Sequence, residues 1–418
     1  MVILHGILTA LAVLSFVLLL WQWLAGLRFP LHKRLTGQAI APAVTLLKPL
    51  RGRDEHTEAC LRSWLAQEYS GEMQFLFGVD STEDPACRAV RRVLAEFPER
   101  NAQLVVCPEQ LGINDKVSKL IQLEPRARYE IVVISDADVM VQPDLLINLV
   151  QPLAPAVAPP TGETEMVSRR TAGLVSCFYQ IANPTTLALS WEATAVNADL
   201  WSRVLQIASI RKLDFAIGAV MATRRRCLAE IRGFRAMADF LADDYQLGHR
   251  IALRGYGIEL CSIPVQCWCM PMEWREVWRH QMRRARTILV SQPLRYLFGI
   301  LGNPTLWAMA WGLAGVTRWV IEMNQLSSTG TSFAIDLPFS TFGAMIFVLA
   351  RILFAWDLQW RLTRSNAHTW NLWFVPIKDL LQVAVWAVGF FGNRIEWQGE
   401  QYRLRRNGTI TKSKPASQ

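Results

Sequence analysis

The sequence predicts an α/β domain with a mostly parallel sheet, joined at both ends of the chain to helices that span a membrane. Two observations indicate this class. From about residue 44 to residue 262, apolar strand-like runs alternate with amphipathic helical stretches, as in βαβ units. The flanking segments are apolar and rich in tryptophan, and 51% of the 418 residues are hydrophobic. The length suits one domain of roughly 250 residues plus membrane segments.

The first 27 residues are predicted to form an N-terminal transmembrane anchor. The run Ile3 to Leu27 is broken mainly by His5 and Gln22. Its length of roughly 25 residues is enough to cross a hydrocarbon core of about 30 Å. It is too long for the core of a signal peptide, and no small-residue cleavage site follows it. A basic linker over 28–42 follows, so the positive-inside rule places the next domain in the cytoplasm.

The segment 43–273 is predicted to form the α/β domain. Its apolar runs predict these strands: Val44 to Leu47, Gln74 to Val79, Gln103 to Cys107, Ile131 to Ile134, Gly173 to Cys177 and Ala216 to Ala222. Apolar stripes at helical spacing predict these helices: Glu55 to Gln67, Pro85 to Phe97 and Asn114 to Leu123. The proline-rich stretch Pro152 to Ser168 is typical of a surface loop.

The C-terminal third is predicted to return to the membrane. Residues 274–296 form a basic, tryptophan-rich helix of the kind that lies at a membrane interface. Within 297–392 there are three candidate spans, Leu297 to Ile321, Phe342 to Leu358 and Leu372 to Phe391, and a basic tail covers 393–418. Counting spans places the tail outside, whereas its positive charge places it inside. One segment is therefore re-entrant or interfacial, or the first span is a hairpin.

The charge of the chain indicates a membrane surface as a partner. The formal net charge is +9, and the basic residues gather beside apolar segments and in the tail. Anionic phospholipid head groups attract basic residues in such positions. This distribution argues against a nucleic-acid partner.

Three acidic motifs follow predicted strands or open a predicted helix. Asp136 and Asp138 come directly after a buried strand, Asp80 follows another strand, and Asp243 with Asp244 opens a helix. In open α/β sheets, ligands bind outside the carboxyl ends of the strands, where two carboxylates can hold a hard divalent cation. Taken singly, each motif is also explained as a polar turn or a helix cap.

An arginine cluster in the sequence HQMRRAR, residues 280–286, offers planar bidentate donors to a diphosphate. By itself it is also explained as the solvated face of a helix. Together with the three acidic motifs it favours a metal-dependent nucleotide-sugar site. Such a site needs an acid for the nucleoside, a metal for the diphosphate, a general base for the acceptor hydroxyl and cations for the leaving phosphates.

Five segments in the same order resemble the ceramide glucosyltransferases (glycosyltransferase family 21, family 2-like) and their bacterial relatives, including the hopanoid-associated glycosyltransferases. The segments are LLKPLRGRD, GVDSTEDPA, LGINDKVSKL, SDADVMVQPD and LADDYQLG, and the resemblance runs from about residue 44 to residue 294. It implies a Rossmann-like GT-A catalytic domain, a UDP-sugar donor, Mg²⁺ or Mn²⁺, and inversion at the anomeric carbon.

The resemblance also implies roles for individual residues. Asp136 and Asp138 would hold the metal, and Asp244 would be the general base. Asp80 would contact the nucleoside. The residues that would bind the nucleotide-sugar are Lys48, Asp80, Lys116, Asp136, Arg283 and Arg284.

The last motif departs from the family's pattern of Gln or Arg, two residues, then Arg-Trp. The two candidate registers are His280-x-x-Arg283-Arg284 and Gln281-x-x-Arg284-Ala285, and no Trp follows the Arg in either. Because that Trp helps form the acceptor site of processive synthases, its absence argues against polymer synthesis.

Transfer of one glucose or N-acetylglucosamine to a membrane lipid, either ceramide or a hopanoid polyol, is the leading hypothesis. The alternatives are a processive polysaccharide synthase and a non-catalytic GT-A membrane scaffold. The expected location is a bacterial inner membrane, with the catalytic domain in the cytoplasm. The sequence leaves the oligomeric state open.

Overall fold

The computed structural model describes residues 2–35, 40–154, 172–327, 338–366, 369–397 and 399–413. The chain divides into two compact units. We call the first the helical unit; it comprises Met1–Phe29, Pro184–Gln206 and Pro271–Gly399. We call the second the sheet unit; it comprises Pro30–Asn183, Ile207–Met270 and Glu400–Gln418. From residue 155 onward, the loop predicted over 152–168 lies outside the described residues.

The described α-helices, in chain order, are α1 (Val2–Arg28), α2 (Thr57–Leu65), α3 (Pro85–Glu96), α4 (Asp115–Leu123), α5 (Leu145–Val150), α6 (Leu187–Thr194), α7 (Trp201–Ala208), α8 (Arg225–Glu230), α9 (Asp243–Leu253), α10 (Trp274–Ser291), α11 (Pro293–Phe298), α12 (Pro304–Ser327), α13 (Phe339–Thr363) and α14 (Val375–Gly389). The three helices predicted between the early strands are confirmed as α2, α3 and α4. Side-chain caps define two of these starts. Asp84 accepts from the amide of Ala86 at 2.8 Å, and Asn114 accepts from the amide of Val117 at 3.2 Å.

The sheet unit contains an eight-stranded sheet with the order β3-β2-β1-β4-β7-β6-β8-β5. Its strands are β1 (Val44–Pro49), β2 (Met73–Val79), β3 (Ala102–Val106), β4 (Ile131–Ser135), β5 (Val139–Met140), β6 (Ala172–Ile181), β7 (Val220–Arg224) and β8 (Gly257–Cys267). Three short strands close the chain: β9 (Arg394–Trp397), β10 (Glu400–Leu404) and β11 (Ile410–Lys412).

The sheet confirms the predicted α/β class with mostly parallel strands. Strands β3, β2, β1 and β4 run parallel to one another, and β6 and β8 share their direction, whereas β7 and β5 run opposite. Every residue of β1 and β4 is buried. This burial explains why both strands are nearly continuous apolar runs, as expected for a parallel sheet covered on both faces.

The observed strand boundaries differ from the predicted ones most at one end each of β6 and β7. Strand β6 extends to Ile181, beyond the predicted end at Cys177. Strand β7 begins at Val220 rather than at Ala216. Residues 216–219 instead form a loop, in which the main-chain amide of Ile217 donates to a side-chain hydroxyl of β6.

The helical unit has three described helices long and apolar enough to cross a membrane: Ile3–Arg28, Phe339–Thr363 and Thr369–Gly389. They confirm the prediction of apolar helices at both ends of the chain. The first span is one continuous helix rather than a hairpin. The span predicted over 297–321 is interrupted by a turn at Gly299–Gly302, and α12, which follows, is not among the three. Asn303 caps α12 and Pro304 opens it, since a proline lacks the amide proton that a continuing helix needs.

A buried ionic cluster lies within the helical unit. The Arg351 guanidinium on α13 contacts Asp199 at 2.9 Å and Asp379 at 2.9 Å. Lys378 on α14 contacts Asp379 at 2.7 Å and also pairs with Asp199. Each of these four side chains is at most 6% exposed. The two cations and two anions compensate one another, which allows charged residues on apolar helices to be buried.

Replacing one acid of this cluster is expected to destabilise the protein. Asp199→Ala leaves Arg351 and Lys378 with a single buried carboxylate, so the free energy of unfolding should fall by about 3–5 kcal/mol. The measurement is denaturant unfolding in detergent. Glu322→Ala is the control, because it removes an exposed ion pair with Arg318 and should cost within about 1 kcal/mol. Equal losses in the two variants would contradict a stabilising role for the cluster.

Candidate functional site

Lys48 on β1 fixes the turn that follows β4. Its ammonium donates to the hydroxyl of Ser135 at 3.0 Å and to the main-chain carbonyl of Asp136. The side chain is fully buried, and this burial lowers the pKa of Lys48 to about 8. Lys48 therefore supports the backbone of the Asp136-Ala137-Asp138 turn. Its contact with a nucleotide remains a prediction.

Lys116 joins two of the predicted acidic motifs. Its ammonium, on the first turn of α4, lies 2.6 Å from Oδ1 of Asp136 and 2.9 Å from Oδ2 of Asp243. Although burial lowers the pKa of Lys116, these two carboxylates raise it above its ordinary value. The two ion pairs therefore hold the end of β4 next to the start of α9. Asp243 was not among the predicted site residues, yet it is half of this bridge.

Burial raises the pKa values of three carboxylates in this group, those of Asp136, Asp138 and Asp244. Burial, followed by the charge of Asp136, raises the pKa of Asp138 to about 6. Burial, followed by the charge of Asp243, raises the pKa of Asp244 to about 6. Among the described residues, neither side chain has a lysine or arginine nitrogen within 4 Å. Both acids therefore remain available to a ligand.

The loop before β7 lies against the same acids. The main-chain amide of Asp136 donates to the carbonyl of Ala219 at 3.0 Å. At Gly218, a side-chain Cβ would lie 2.7 Å from Oδ2 of Asp244, closer than van der Waals contact allows. A larger residue at this position would therefore displace the side chain of Asp244.

Asp80 belongs to a second cluster at the carboxyl ends of the strands. Its Oδ1 lies 2.6 Å from the ammonium of Lys119, which also contacts Asp115 at 2.6 Å. Lys119 is only 2% exposed. Arg51 lies 3.5 Å from Asp115 and extends this cluster. Sequence analysis missed Lys119, although its spacing of four residues from Asp115 on α4 is a signal for such a pair.

A cavity of about 280 Å³ lies beside Asp138, the second aspartate of the turn after β4. It is lined by residues 50–54 after β1, and by Thr57, Ala137 and Asp138. The amide of Gly52 donates to Asp84 at 3.0 Å, which ties this loop to the start of α3. The cavity therefore joins the segment LLKPLRGRD to the aspartate turn at one edge of the sheet.

The carboxylates at this edge fit a divalent cation that arrives with a phosphate ligand. No group of three or more His, Cys, Asp or Glu in the described ranges is placed to hold a metal ion. Asp136 and Asp138 lie on one turn, and Mg²⁺ is commonly held by one or two carboxylates together with substrate phosphates. The donor set thus suits such a cation and does not form an all-protein metal cage.

Arg283 and Arg284 lie on α10 of the helical unit. Arg284 pairs with Glu192 on α6, a carboxylate that is 2% exposed. Gln281 donates to the same carboxylate at 2.6 Å. Both polar residues of the candidate register Gln281-x-x-Arg284-Ala285 therefore contact the same acid. Binding of a diphosphate by Arg283 and Arg284 remains a prediction.

Comparison with known proteins identifies the family. The sequence profile described as Glycosyl transferase family 21 matches residues 7–410, nearly the whole chain. The chain belongs to glycosyl transferase family 21. This confirms the resemblance seen in the five motifs, and the sheet topology confirms the predicted α/β class.

The relatives of this family 21 chain include ceramide glucosyltransferases. Ceramide glucosyltransferase 3 of Caenorhabditis elegans is 21% identical over 262 residues, which cover 61% of this chain and 54% of the relative. The ceramide glucosyltransferase of Candida albicans is 28% identical over 124 residues, which cover 27% and 23% of the two chains. This chain spans about half the length of the curated nematode relatives that it matches.

A solved mannosyltransferase from Pyrobaculum calidifontis, in complex with GDP-Man and Mn²⁺, is 20% identical to the family 21 chain. The match has a TM-score of 0.49 and covers 93% of this chain and 99% of that one.

Removing the cation that joins the two motifs is expected to destabilise the sheet unit in a pH-dependent way. Lys116→Met leaves Asp136 and Asp243 without their shared ammonium, at a cost on the order of 3 kcal/mol at pH 8. Burial raises the pKa of Asp136 and the ammonium of Lys116 lowers it, so removing the ammonium should leave this folded-state pKa further above its unfolded value. The loss should therefore shrink as the pH falls and Asp136 becomes protonated.

The measurement is thermal unfolding of Lys116→Met and of the parent protein between pH 8 and pH 5. Lys412→Met is the matched control, because Lys412 forms an exposed pair with Glu400 and should contribute little at any pH. A loss that stays constant or grows toward pH 5 would contradict the role assigned to Lys116.

Proposed function

We propose that this protein transfers one sugar, glucose or N-acetylglucosamine, from its UDP-sugar to a hydroxyl of a membrane lipid, ceramide or a hopanoid polyol, with inversion. The observation that carries the proposal is the bridge from Asp136 through Lys116 to Asp243, which places two acidic motifs beside each other. Ligands of open α/β sheets bind at this edge. Membership in family 21 supports glycosyl transfer as the reaction.

The donor would bind at the carboxyl ends of β1, β2 and β4. The cavity lined by residues 50–54 and Asp138 is a suitable place for part of the nucleotide, and Asp80 would contact the nucleoside. Asp136 and Asp138 would hold Mg²⁺ or Mn²⁺, which when bound offsets the negative charge of the diphosphate. Arg283 and Arg284 would add planar donors to the leaving phosphates.

Asp244 would be the general base. As the acceptor oxygen forms its bond to C1 of the sugar, the bond from C1 to the UDP oxygen breaks on the opposite face. The acceptor proton passes to the carboxylate of Asp244, a step typically worth about 10² to 10⁴ in rate. Asp243 is already paired with Lys116, whereas Asp244 has no such partner among the described residues. Its pKa of about 6 leaves it ionised at neutral pH and more basic than an ordinary aspartate.

The helical unit supports a lipid acceptor. Its three candidate spans would anchor the protein in the membrane. If all three cross, the segments of the sheet unit lie on one side, because they fall either between the first two spans or after the third. The positive charge both after the first span and in the tail agrees with this arrangement and supports our proposal that the sheet unit is cytoplasmic. A bacterial inner membrane is the proposed location.

The alternatives are less well supported. A processive synthase needs a channel and an acceptor-binding Trp, but no Trp follows the Arg in either candidate register. A non-catalytic scaffold needs none of the acids, yet Asp136, Asp138 and Asp244 are all present at the edge of the sheet.

The test of the proposed function is transfer from radiolabelled UDP-glucose and UDP-N-acetylglucosamine in membranes that contain the protein. Ceramide or bacteriohopanetetrol is the acceptor, and EDTA is the control for the metal. Label in one lipid, lost with EDTA, would identify sugar and acceptor together. No label in either lipid, with UDP-sugar hydrolysis still present, would reject these acceptors; the absence of both would favour the scaffold.

Asp244→Asn is expected to abolish transfer while UDP-sugar binding is largely retained, because the amide cannot accept the proton. Rates should fall by about 10² or more. Binding is measured by equilibrium titration with the UDP-sugar. Asp214→Asn is the matched control. Asp214 forms a partly exposed ion pair with Arg211, so this variant should transfer sugar at the parent rate. Full activity of Asp244→Asn would remove Asp244 from the base role.

A further inference from the structure

Residues 238–240, which we call the pre-base segment, lie shortly before Asp243 and Asp244 and have all three main-chain carbonyls bound. The carbonyl of Ala238 accepts from the amide of Asn114 at 2.8 Å, and the carbonyl of Phe240 accepts from the Asn114 side chain at 2.9 Å. The middle carbonyl, of Asp239, accepts from the amide of Ile410 at 2.9 Å. Two elements far apart in the chain therefore hold one segment.

Asn114 links the pre-base segment to the cation of the site. It is fully buried, caps α4 through its bond to the amide of Val117, and lies two residues before Lys116. At Gly112, a Cβ would lie 2.4 Å from the Cβ of Ala238, so only glycine permits this close approach. One side of the pre-base segment is thus fixed to α4.

The other side is held by the C-terminal hairpin, β10 and β11. Thr409 forms a bridge to Phe240, and Ile410 is 1% exposed. Within the hairpin, the amide of Arg405 donates to Thr409, and the amide of Ser413 donates to Gln401. In an antiparallel ladder, hydrogen-bonded pairs alternate with pairs that are not hydrogen-bonded. By this alternation the pair of Leu404 and Ile410 is not hydrogen-bonded, so the amide of Ile410 points away from β10. That amide is the donor to Asp239.

We propose that Ile410, through its main-chain amide in the C-terminal hairpin, is a positioning residue for Asp244. Through its amide, Ile410 holds the middle of the pre-base segment, while Asn114 holds both ends. This inference rests on the proposed role of Asp244 as the base. A shift of about 1 Å in a reacting group costs roughly 10²-fold in rate, so the hairpin affects the chemical step without touching the donor.

Ile410→Pro removes the amide donor and keeps both bonds within the hairpin. A proline is tolerated on an edge strand at such a position. We expect kcat to fall about tenfold or more, while KM for the UDP-sugar changes less than twofold. Lys412→Pro is the matched control. Its amide also points outward from the hairpin, its side chain is exposed, and both constants should stay at the parent values.

Amide hydrogen exchange gives a readout that does not depend on activity. In Ile410→Pro, residues 238–244 should exchange faster than in the parent protein and in Lys412→Pro. Ile410→Ala keeps the amide and loses only side-chain packing, so exchange in this segment should stay close to that of the parent. Equal effects of the alanine and proline variants would overturn the assignment to the amide.

The proposal also fails if Ile410→Pro and Lys412→Pro have the same kcat and the same hydrogen exchange. It fails as well if Ile410→Pro loses both its stability and its binding of UDP. Absence of transfer in the parent protein would instead reject the proposed function. In that case faster exchange over 238–244 in Ile410→Pro alone would still support the hairpin contact, and unchanged exchange would reject it.

Discussion

The ammonium of Lys116 lies between two carboxylates from separate motifs, and the arrangement of the candidate site depends on this contact. Without it, Asp136 and Asp243 would be two partly buried anions close to each other, and they would repel. With it, the turn after β4 and the start of α9 are held side by side. Lys48 also stabilises this arrangement, because its hydrogen bonds fix the backbone of that turn.

This contact also divides the acids into carboxylates that are paired with a cation and carboxylates that are not. Asp136 and Asp243 are in ion pairs with Lys116, which orders them. Asp138 and Asp244 lack such a partner among the described residues, and burial raises the pKa of each to about 6. Acids left in this state are suited to exchanging a proton or binding a cation. The proposed base role of Asp244 and the proposed ligand role of Asp138 therefore fall on carboxylates without such a partner, whereas Asp136, the other proposed metal ligand, keeps its pair with Lys116.

The same requirement for compensation of buried charge organises the helical unit. Arg351 and Lys378 neutralise Asp199 and Asp379 on or beside apolar helices. A single buried acid, Glu192, likewise accepts from both polar residues of the motif on α10. These charged side chains therefore make contacts inside the helical unit, and the helices that carry Arg351 and Lys378 remain long and apolar enough to cross a membrane.

The sequence by itself determined the α/β class, strands β1 to β4, helices α2 to α4, the apolar ends and the position of each acidic motif, since all of these depend on local patterns of apolar and capping residues. It did not reveal β8, whose run contains Pro264, or the contact of the C-terminal hairpin with the pre-base segment. Only the tertiary structure decided which charges meet. Lys116 and Asp243 are 127 residues apart in the chain, and no local pattern specifies such a pair. Such long-range pairs depend on how the strands and helices pack, because a carboxylate that packing buries is stable only when a cation lies beside it.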